Sequence, residues 1–274
     1  TLLNPATEEA VAEISSEGLD LGRAFHFARE TGGKELRALT FADRAEVLLA
    51  ISRALHKERE ALIELAMKNG GNTRGDAKFD IDGASGTLAY YAGLGKELGA
   101  KRVLVEGESA QLSRGPRFVG QHALVPRRGV ALLINAFNFP AWGIGEKAAC
   151  ALLAGMPILI KPATSTALVA TRIVELIAEQ NLAPKGAISL LNGPAGNLTD
   201  FVSAEDVISF TGGSKTAAML RALPSVVSGS LRLNIEADSL NAAVLGSDVE
   251  LGSDTWIAFV RDVSRDITQK AGQK

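Results

Sequence analysis

Gly129–Lys161, GVALLINAFNFPAWGIGEKAACALLAGMPILIK, alternates apolar runs with polar corners in the pattern of a parallel α/β sheet. Val130–Ile134 is a short continuous apolar run, as a parallel strand covered on both faces requires. Asn135 ends the run, and Asn138-Phe139-Pro140 turns the chain, with Pro140 suited to the first turn of a helix because it has no N–H to satisfy. Ala141–Ala154 is helix-forming, Gly155 stops it, and Pro157–Lys161 is the next strand. The result is one βαβ unit with polar groups at the carboxyl ends of its strands, the edge where open α/β sheets hold ligands.

Downstream the alternation continues. A helix over Thr166–Gln180, a strand over Ala187–Leu191 and a short helix near Asn197–Val202 come first. A strand over Asp206–Phe210, a helix over Ser214–Leu220 and a strand over Leu231–Ile235 follow. Such alternation predicts a parallel sheet with helices on both faces. Beyond it, Ala242–Leu245 reads as a further strand and Asp254–Lys270 as an amphipathic helix. Upstream, Thr1–Ser16 reads as a hairpin turning at Asn4-Pro5, and Leu19–Thr31 as a helix. Thr40 opens another helix with an acid in its first turn, running towards Met67 and stopped by Asn69-Gly70-Gly71-Asn72. Asp80–Leu98 is a helix whose Gly83, Gly86, Gly93 and Gly95 predict close helix packing. Arg102–Gln111 and Phe118–Pro126 form a long hairpin.

Composition excludes several classes. The 274 residues carry a formal net charge of −2 and 22% charged residues, which gives no case for nucleic acid or an anionic membrane. No apolar run approaches membrane-spanning length, and the first residues lack the order of a signal peptide. One cysteine fits a reducing compartment, so a cytoplasmic protein is expected. The scattered His26, His56 and His122 compose no metal site.

Asn-Ala-Phe-Asn-Phe-Pro, followed by E-K-A-A-x-A-L-L-A-G-x-P-x-x-x-K-P-A, resembles the aldehyde dehydrogenase superfamily, most of all its bacterial branch acting on CoA-linked semialdehydes in aromatic-ring degradation. The similarity runs from Asn4-Pro5-Ala6-Thr7 to Gly272-Gln273. It implies an α/β protein with a Rossmann-like cofactor domain over 1–103 and 128–238. It also implies an inserted hairpin arm over 104–127 that pairs with a neighbouring subunit in a homodimer or dimer of dimers. The start of a catalytic domain, truncated, would occupy 239–274. The hairpin pattern by itself fits an ordinary surface hairpin equally well. The resemblance further implies residues preceding Thr1 and a nucleophilic cysteine directly after Lys274.

Each candidate residue has a plainer alternative. Asn138, past a strand end, can donate to a developing oxyanion or bond its own backbone in an Asx turn; the resemblance assigns the oxyanion hole. Lys161, at the crevice edge, can meet a ribose or phosphate or simply snorkel; the resemblance gives it the adenosine ribose. Thr164 stands where NAD-preferring relatives often hold a glutamate, and a neutral hydroxyl leaves room for a 2′-phosphate, so NADP is expected, with NAD the alternative. Thr211-Gly212-Gly213 joins a strand to a helix whose N-terminus favours a pyrophosphate, although Gly213 replaces the family's serine. Glu236, at a strand end, is a water-activating base if desolvation raises its pKa, and a solvated acid otherwise; the resemblance makes it the base, although Asp238 and Ser239 replace the usual glycines. Lys147 matches a frequent family lysine near the active site. Cys150, in an alanine- and leucine-rich helix, reads as a small buried hydrophobe. The expected substrate is a small aldehyde linked to CoA, with a simple aliphatic aldehyde or a non-catalytic dinucleotide-binding module as alternatives.

Overall fold

Val130–Ile134 is buried on both faces because its side chains alternate between two separate cores. In the computed structural model, which describes residues 1–239 and 242–270, Ala131 and Leu133 enter one core while Val130 and Leu132 enter the other. The strand lies at the centre of a five-stranded sheet. Numbering strands along the chain, β1 (Leu2–Leu3) and β2 (Ala10–Ala12) pair as a small hairpin, and β3 (Leu104–Gln111) and β4 (Val119–Leu124) as the long one. The main sheet comprises β5 (Ala131–Ile134), β6 (Ile158–Lys161), β7 (Ile188–Leu190), β8 (Val207–Gly212) and β9 (Arg232–Ala237), in the order β7-β6-β5-β8-β9. All its pairings are parallel. The chain winds outward from β5 to β7, then returns to β8, so the winding reverses between β5 and β8. Such a reversal is where open α/β sheets form a ligand crevice at the carboxyl ends of their strands.

The helices cover both faces. The expected helix over Leu19–Thr31 is longer: α1 (Leu21–Phe27) passes through a π-helical stretch (Ala28–Gly32) into α2 (Gly33–Ala38). Two glycines do not break it, because Gly32 lies on the Gly186 backbone, where a Cβ would come 1.9 Å from the carbonyl oxygen. The helix expected from Thr40 towards Met67 is two, α3 (Phe41–Lys57) and α4 (Arg59–Gly70), bent at Glu58. Thr40 and Asp43 form a capping box, and Gly71, at φ 68°, ends α4. Next, α5 (Arg74–Leu98) begins at Arg74 rather than Asp80, since Thr73 caps it through the Asp76 N–H. After these come α6 (Trp142–Leu153), α7 (Ala167–Glu179), α8 (Ser214–Arg221), α9 (Pro224–Val227) and α10 (Asp254–Thr268). Among the described residues no helix is long and apolar enough to cross a membrane.

The expected strand over Ala242–Leu245 is not formed. Asp238, at φ 58°, turns the chain off the sheet edge, and Val244 is 87% exposed, with no described strand beside it. The expected helix is formed as α10, and none of its residues is buried among the described residues.

Arg44 ties the helical layer together. Fully buried, it donates to the carbonyls of Leu36 (3.1 Å), Leu39 (2.8 Å) and Leu153 (2.8 Å). These carbonyls belong to the last turns of α2 and α6, where helix dipoles are negative, so the guanidinium needs no carboxylate. Burial pushes its pKa down. The glycines of α5 divide into two kinds. At Gly83 a Cβ would meet the Trp142 ring at 2.5 Å and at Gly95 the Leu153 side chain at 2.6 Å, so these two do mark close packing. Gly86 and Gly93 face open space.

The contrast sets the sign of two substitutions. Gly86→Ala should stabilise the protein by about 0.5–1 kcal/mol through helix propensity. Gly145→Ala places a Cβ 2.8 Å from the Ala84 Cα and 3.0 Å from its carbonyl, backbone atoms that cannot yield, so overpacking of about 1–3 kcal/mol should outweigh the same propensity gain. Thermal denaturation of the two variants should move in opposite directions.

Candidate functional site at the carboxyl edge of the sheet

The chain leaves β5 through the corner Asn135–Ala141, gripped on both sides. Thr166 donates its hydroxyl to the Phe137 carbonyl at 3.0 Å. Asp80, from α5, accepts from the Ala141 N–H at 3.1 Å and the Trp142 N–H at 2.7 Å. Asn138 lies between these two anchors, half-buried. Its amide makes no hydrogen bond among the described residues, so the Asx-turn alternative is not what shapes the corner. Asp80 is wholly buried. Desolvation pushes its carboxyl up to about 7, and the two N–H bonds pull the other way. The balance is reasonable: burying a carboxylate costs several kcal/mol, while two charge-assisted bonds return roughly 1.5–3 kcal/mol each. Sequence reading missed Asp80, which looked like a helix start rather than a distant cap.

Asn135 ends β5. Its backbone N–H donates to the Lys161 carbonyl at 3.1 Å. Its side chain is 4% exposed, and neither polar atom has a partner among the described residues. Across the ladder Ile134 pairs with Lys161. Lys161 is 7% exposed, donates to the Pro162 carbonyl at 2.5 Å and meets no carboxylate among the described residues; burial lowers its pKa. Thr164 opens a 3-10 turn and spends its hydroxyl proton on the Gly193 carbonyl at 3.2 Å.

On the other side of the crevice, Phe210 and Gly212 pair with Ile235 and Ala237, and Thr211 with Glu236. The Thr211 hydroxyl donates to Glu236 at 3.2 Å. Glu236 is exposed, so the described residues do not supply the desolvation a base would need. Gly212 lies under the Phe210 ring, where a Cβ would sit at 2.6 Å. Asp238 accepts from the Ser214 N–H at 3.0 Å, putting a carboxylate at the start of α8, another contact not foreseen from sequence. Helical bonding there begins with Ala217 N–H to Gly213, so the N–H groups of Lys215 and Thr216 have no intrahelical acceptor.

Lys147 is on α6, donating to the Gly143 carbonyl (3.3 Å) and to Glu146 (3.1 Å). Cys150 corrects an expectation, for it is exposed. The buried stripe of α6 is Ile144, Gly145, Ala148, Ala149, Leu152 and Leu153, and Cys150 falls outside it despite apolar sequence neighbours. Its thiol, beside Tyr91, raises the phenol pKa. Residues 271–274, where the resemblance aligns the approach to a nucleophile, lie outside the described residues. Lys270, just before them, donates its N–H to Asp76 at 2.8 Å and holds its ammonium 5.1 Å from the Phe139 ring centre, beside the Asn138 corner.

Lys161, Ile134, Phe210 and Ile235 form one row across four strands. Three interstrand spacings make that row about 14–15 Å wide. Among the described residues, a buried cation without a carboxylate partner stands at one end, N–H groups without an intrahelical acceptor lie near the middle and a carboxylate is at the other end. This donor set fits an elongated, partly anionic ligand such as a dinucleotide, with Asp238 occupying one of the N–H groups that its phosphates would otherwise use.

The comparisons agree with the fold. The model of the aldehyde dehydrogenase family matches residues 1–274. A 3,4-dehydroadipyl-CoA semialdehyde dehydrogenase from Aromatoleum evansii is 49% identical over 273 residues, covering 100% of this chain and 53% of that protein. A betaine aldehyde dehydrogenase from Bacillus subtilis is 28% identical over 93% of this chain and 51% of its own length. Among solved structures, a Staphylococcus aureus betaine aldehyde dehydrogenase in complex with NAD+ superposes with a TM-score of 0.72 at 28% identity, over 86% of this chain and 45% of that one. A Burkholderia cenocepacia structure described as a putative aldehyde dehydrogenase, at 24% identity, shares the fold over 100% of this chain and 54% of its own, with a TM-score of 0.81. The chain therefore belongs to the aldehyde dehydrogenase family. It spans about half the length of the curated relatives it matches.

The raised carboxyl of Asp80 gives a pH signature. Between pH 4 and 7 the folded protein keeps a proton that the unfolded chain, at the ordinary 3.8, has lost. Asp80's contribution to stability is therefore greatest in acid, falls as pH rises through that window and is constant above about 7. Relative to Asp80→Asn, the parent should lose up to a few kcal/mol across the window, at about 1.4 kcal/mol per unit. Chemical denaturation of both proteins from pH 4.5 to 8.5 measures this; a constant difference would contradict it.

Proposed function

We propose that this chain is the cofactor-binding part of an NADP-dependent dehydrogenase that oxidises a CoA-linked semialdehyde to the carboxylic acid. The observation that carries the reading is the row along the sheet edge from Lys161 to Ile235, with Glu236 next on β9 and an Asn138 amide that makes no hydrogen bond among the described residues. Lys161 and Thr164 would hold the adenosine ribose, and Thr211, Gly212 and Gly213 with the opening of α8 would hold the pyrophosphate. The nicotinamide, when bound, supplies the acceptor for the hydride leaving the substrate carbon. Asn138 would donate to the carbonyl oxygen as it gains charge, a role that suits a neutral, fixed and unpartnered amide. Glu236 would take a proton from the hydrolytic water, its exposure here being closed by the remainder of the protein. Lys147, on α6, would be the frequent family lysine near the active site. The nucleophile would be a cysteine directly after Lys274, a position supported by Lys270 lying against Phe139.

The 49% identity to a CoA-linked semialdehyde dehydrogenase supports the substrate class. The hairpin β3–β4 exposes Val105 (61%), Phe118 (61%) and Leu124 (55%), which supports its use as an arm between subunits of a homodimer or dimer of dimers. Because Thr164 spends its proton on Gly193, it would favour NADP by lacking negative charge rather than by donating to the 2′-phosphate.

Two measurements follow. In the full-length protein, Glu236→Gln should keep the initial burst of reduced cofactor and slow the steady state, since shape is preserved and the base is lost; an unchanged steady state excludes the role. Thr164→Glu should shift the ratio of kcat/KM for NADP over NAD towards NAD by about 1–3 kcal/mol, through like-charge repulsion at intermediate dielectric. Pairing of the new carboxylate with Lys161 would act against this shift, and a ratio that does not move removes Thr164 as the discriminator.

A further inference from the structure

We propose that Asp80 is a positioning residue for the oxyanion site, fixing from α5 the backbone corner that aims the Asn138 amide. The inference rests on the proposed role of Asn138 and deepens it. Each Asp80 oxygen is committed to one N–H, those of Ala141 and Trp142, just past Asn138. On the near side, Thr166 holds the Phe137 carbonyl. Asn138 is thus bracketed by two long-range hydrogen-bonded anchors.

Capping α6 does not by itself call for this arrangement. A serine, threonine or aspartate at the N-cap would serve the N–H groups two or three residues further on, locally at an exposed surface, and would not reach those of Ala141 and Trp142. Here the N-cap residue is Ala141, with no side-chain bond of its own, and the cap arrives from another helix as a fully buried carboxylate. What the distant cap adds is a fixed distance between α5 and the corner. The contact is reinforced one turn along, where Gly83 accepts the Trp142 ring and Gly145 lies on Ala84. Phe79, Phe139 and Trp142 complete it with ring centres 5.0–6.1 Å apart.

The neighbouring charges are otherwise engaged. On α5, Asp76 bonds Lys270 and Asp82 pairs with Arg59; on α6, Lys147 pairs with Glu146. The titration of Asp80 is set by its burial and the two N–H bonds alone. In its ionised form it accepts both; once protonated, one oxygen becomes a donor facing a donor, and the corner loosens.

The test is a double-mutant cycle in the full-length enzyme, with 6-oxohexanoyl-CoA and NADP+ and the burst rate of reduced cofactor as readout. Asn138→Ala should slow the burst about 10²–10³-fold, as loss of an oxyanion donor does. Asp80→Asn, isosteric but unable to accept both bonds, should slow it about 10- to 100-fold, the scale of a misplaced group, with NADP+ affinity unchanged. Added to Asn138→Ala, it should have less than a threefold further effect. A burst within threefold of the parent in Asp80→Asn, or effects that multiply in the double variant, overturns the proposal. An unchanged burst in Asn138→Ala instead removes the oxyanion reading beneath it. Should Asp80→Asn fail to fold, the parent-to-Asn138→Ala burst ratio over pH 6–8.5 decides: it should fall as pH drops below about 7, and a flat ratio overturns the proposal. In the present chain, amide exchange at Ala141 and Trp142 should also accelerate in Asp80→Asn without a change in α3 or α7.

Discussion

The docking of α5 on α6 is the contact from which the site takes its shape. It combines a buried ion accepting two backbone N–H groups with glycines that let the helices approach closely. Neither part would suffice alone. Packing without Asp80 would leave the opening N–H groups of α6 unsatisfied in a dry interface, at about 1–3 kcal/mol each. Asp80 without the glycine notch could not reach them. Because β5 runs directly into the corner and α6 directly out of it, holding α6 also fixes where the strand's carboxyl end delivers Asn138.

Buried charges in this fold are solvated by backbone rather than by opposite charge. Arg44 draws on the C-terminal carbonyls of α2 and α6, and Asp80 on the N-terminal N–H groups of α6. Asp206 extends the pattern at the opposite edge of the sheet, accepting from the Val130 and Ser203 N–H groups, though it also pairs with Arg29. Such anchors are directional, and they hold helix ends in place where apolar contact alone would let them slide. Lys161 differs, since its one partner among the described residues is a single carbonyl. The sheet edge thus contains a buried cation with hydrogen-bonding capacity to spare, adjacent to Asn135, whose buried amide is also unspent. Scaffold and ligand edge are distinguished by how completely their polar groups are satisfied.

Much of this was legible in the sequence because its signals are local. Continuous apolar runs marked β5 and β6, Gly155 marked the stop of α6, and the alternation marked a parallel sheet. The motif around Asn138 identified the family. What was not legible depends on distant partners. Gly32 looked like a helix end, yet the chain continues because the Gly186 backbone occupies the space of its missing side chain. Cys150 looked buried from its neighbours in sequence, but helical spacing places it outside the apolar stripe of α6. The strand over Ala242–Leu245 had the right composition and lacked a partner. Asp80 and Asp238 looked like ordinary acids, because nothing local says that each caps a helix far along the chain.

A dinucleotide lying across the carboxyl edge where the winding reverses should be seen in hydrogen–deuterium exchange of this chain with and without saturating NADP+ or NAD+. Protection should appear together at residues 135–139, 161–166 and 211–216, while the hairpin over 104–124 is unaffected. Protection confined to other segments, or none at millimolar nucleotide, would contradict the account.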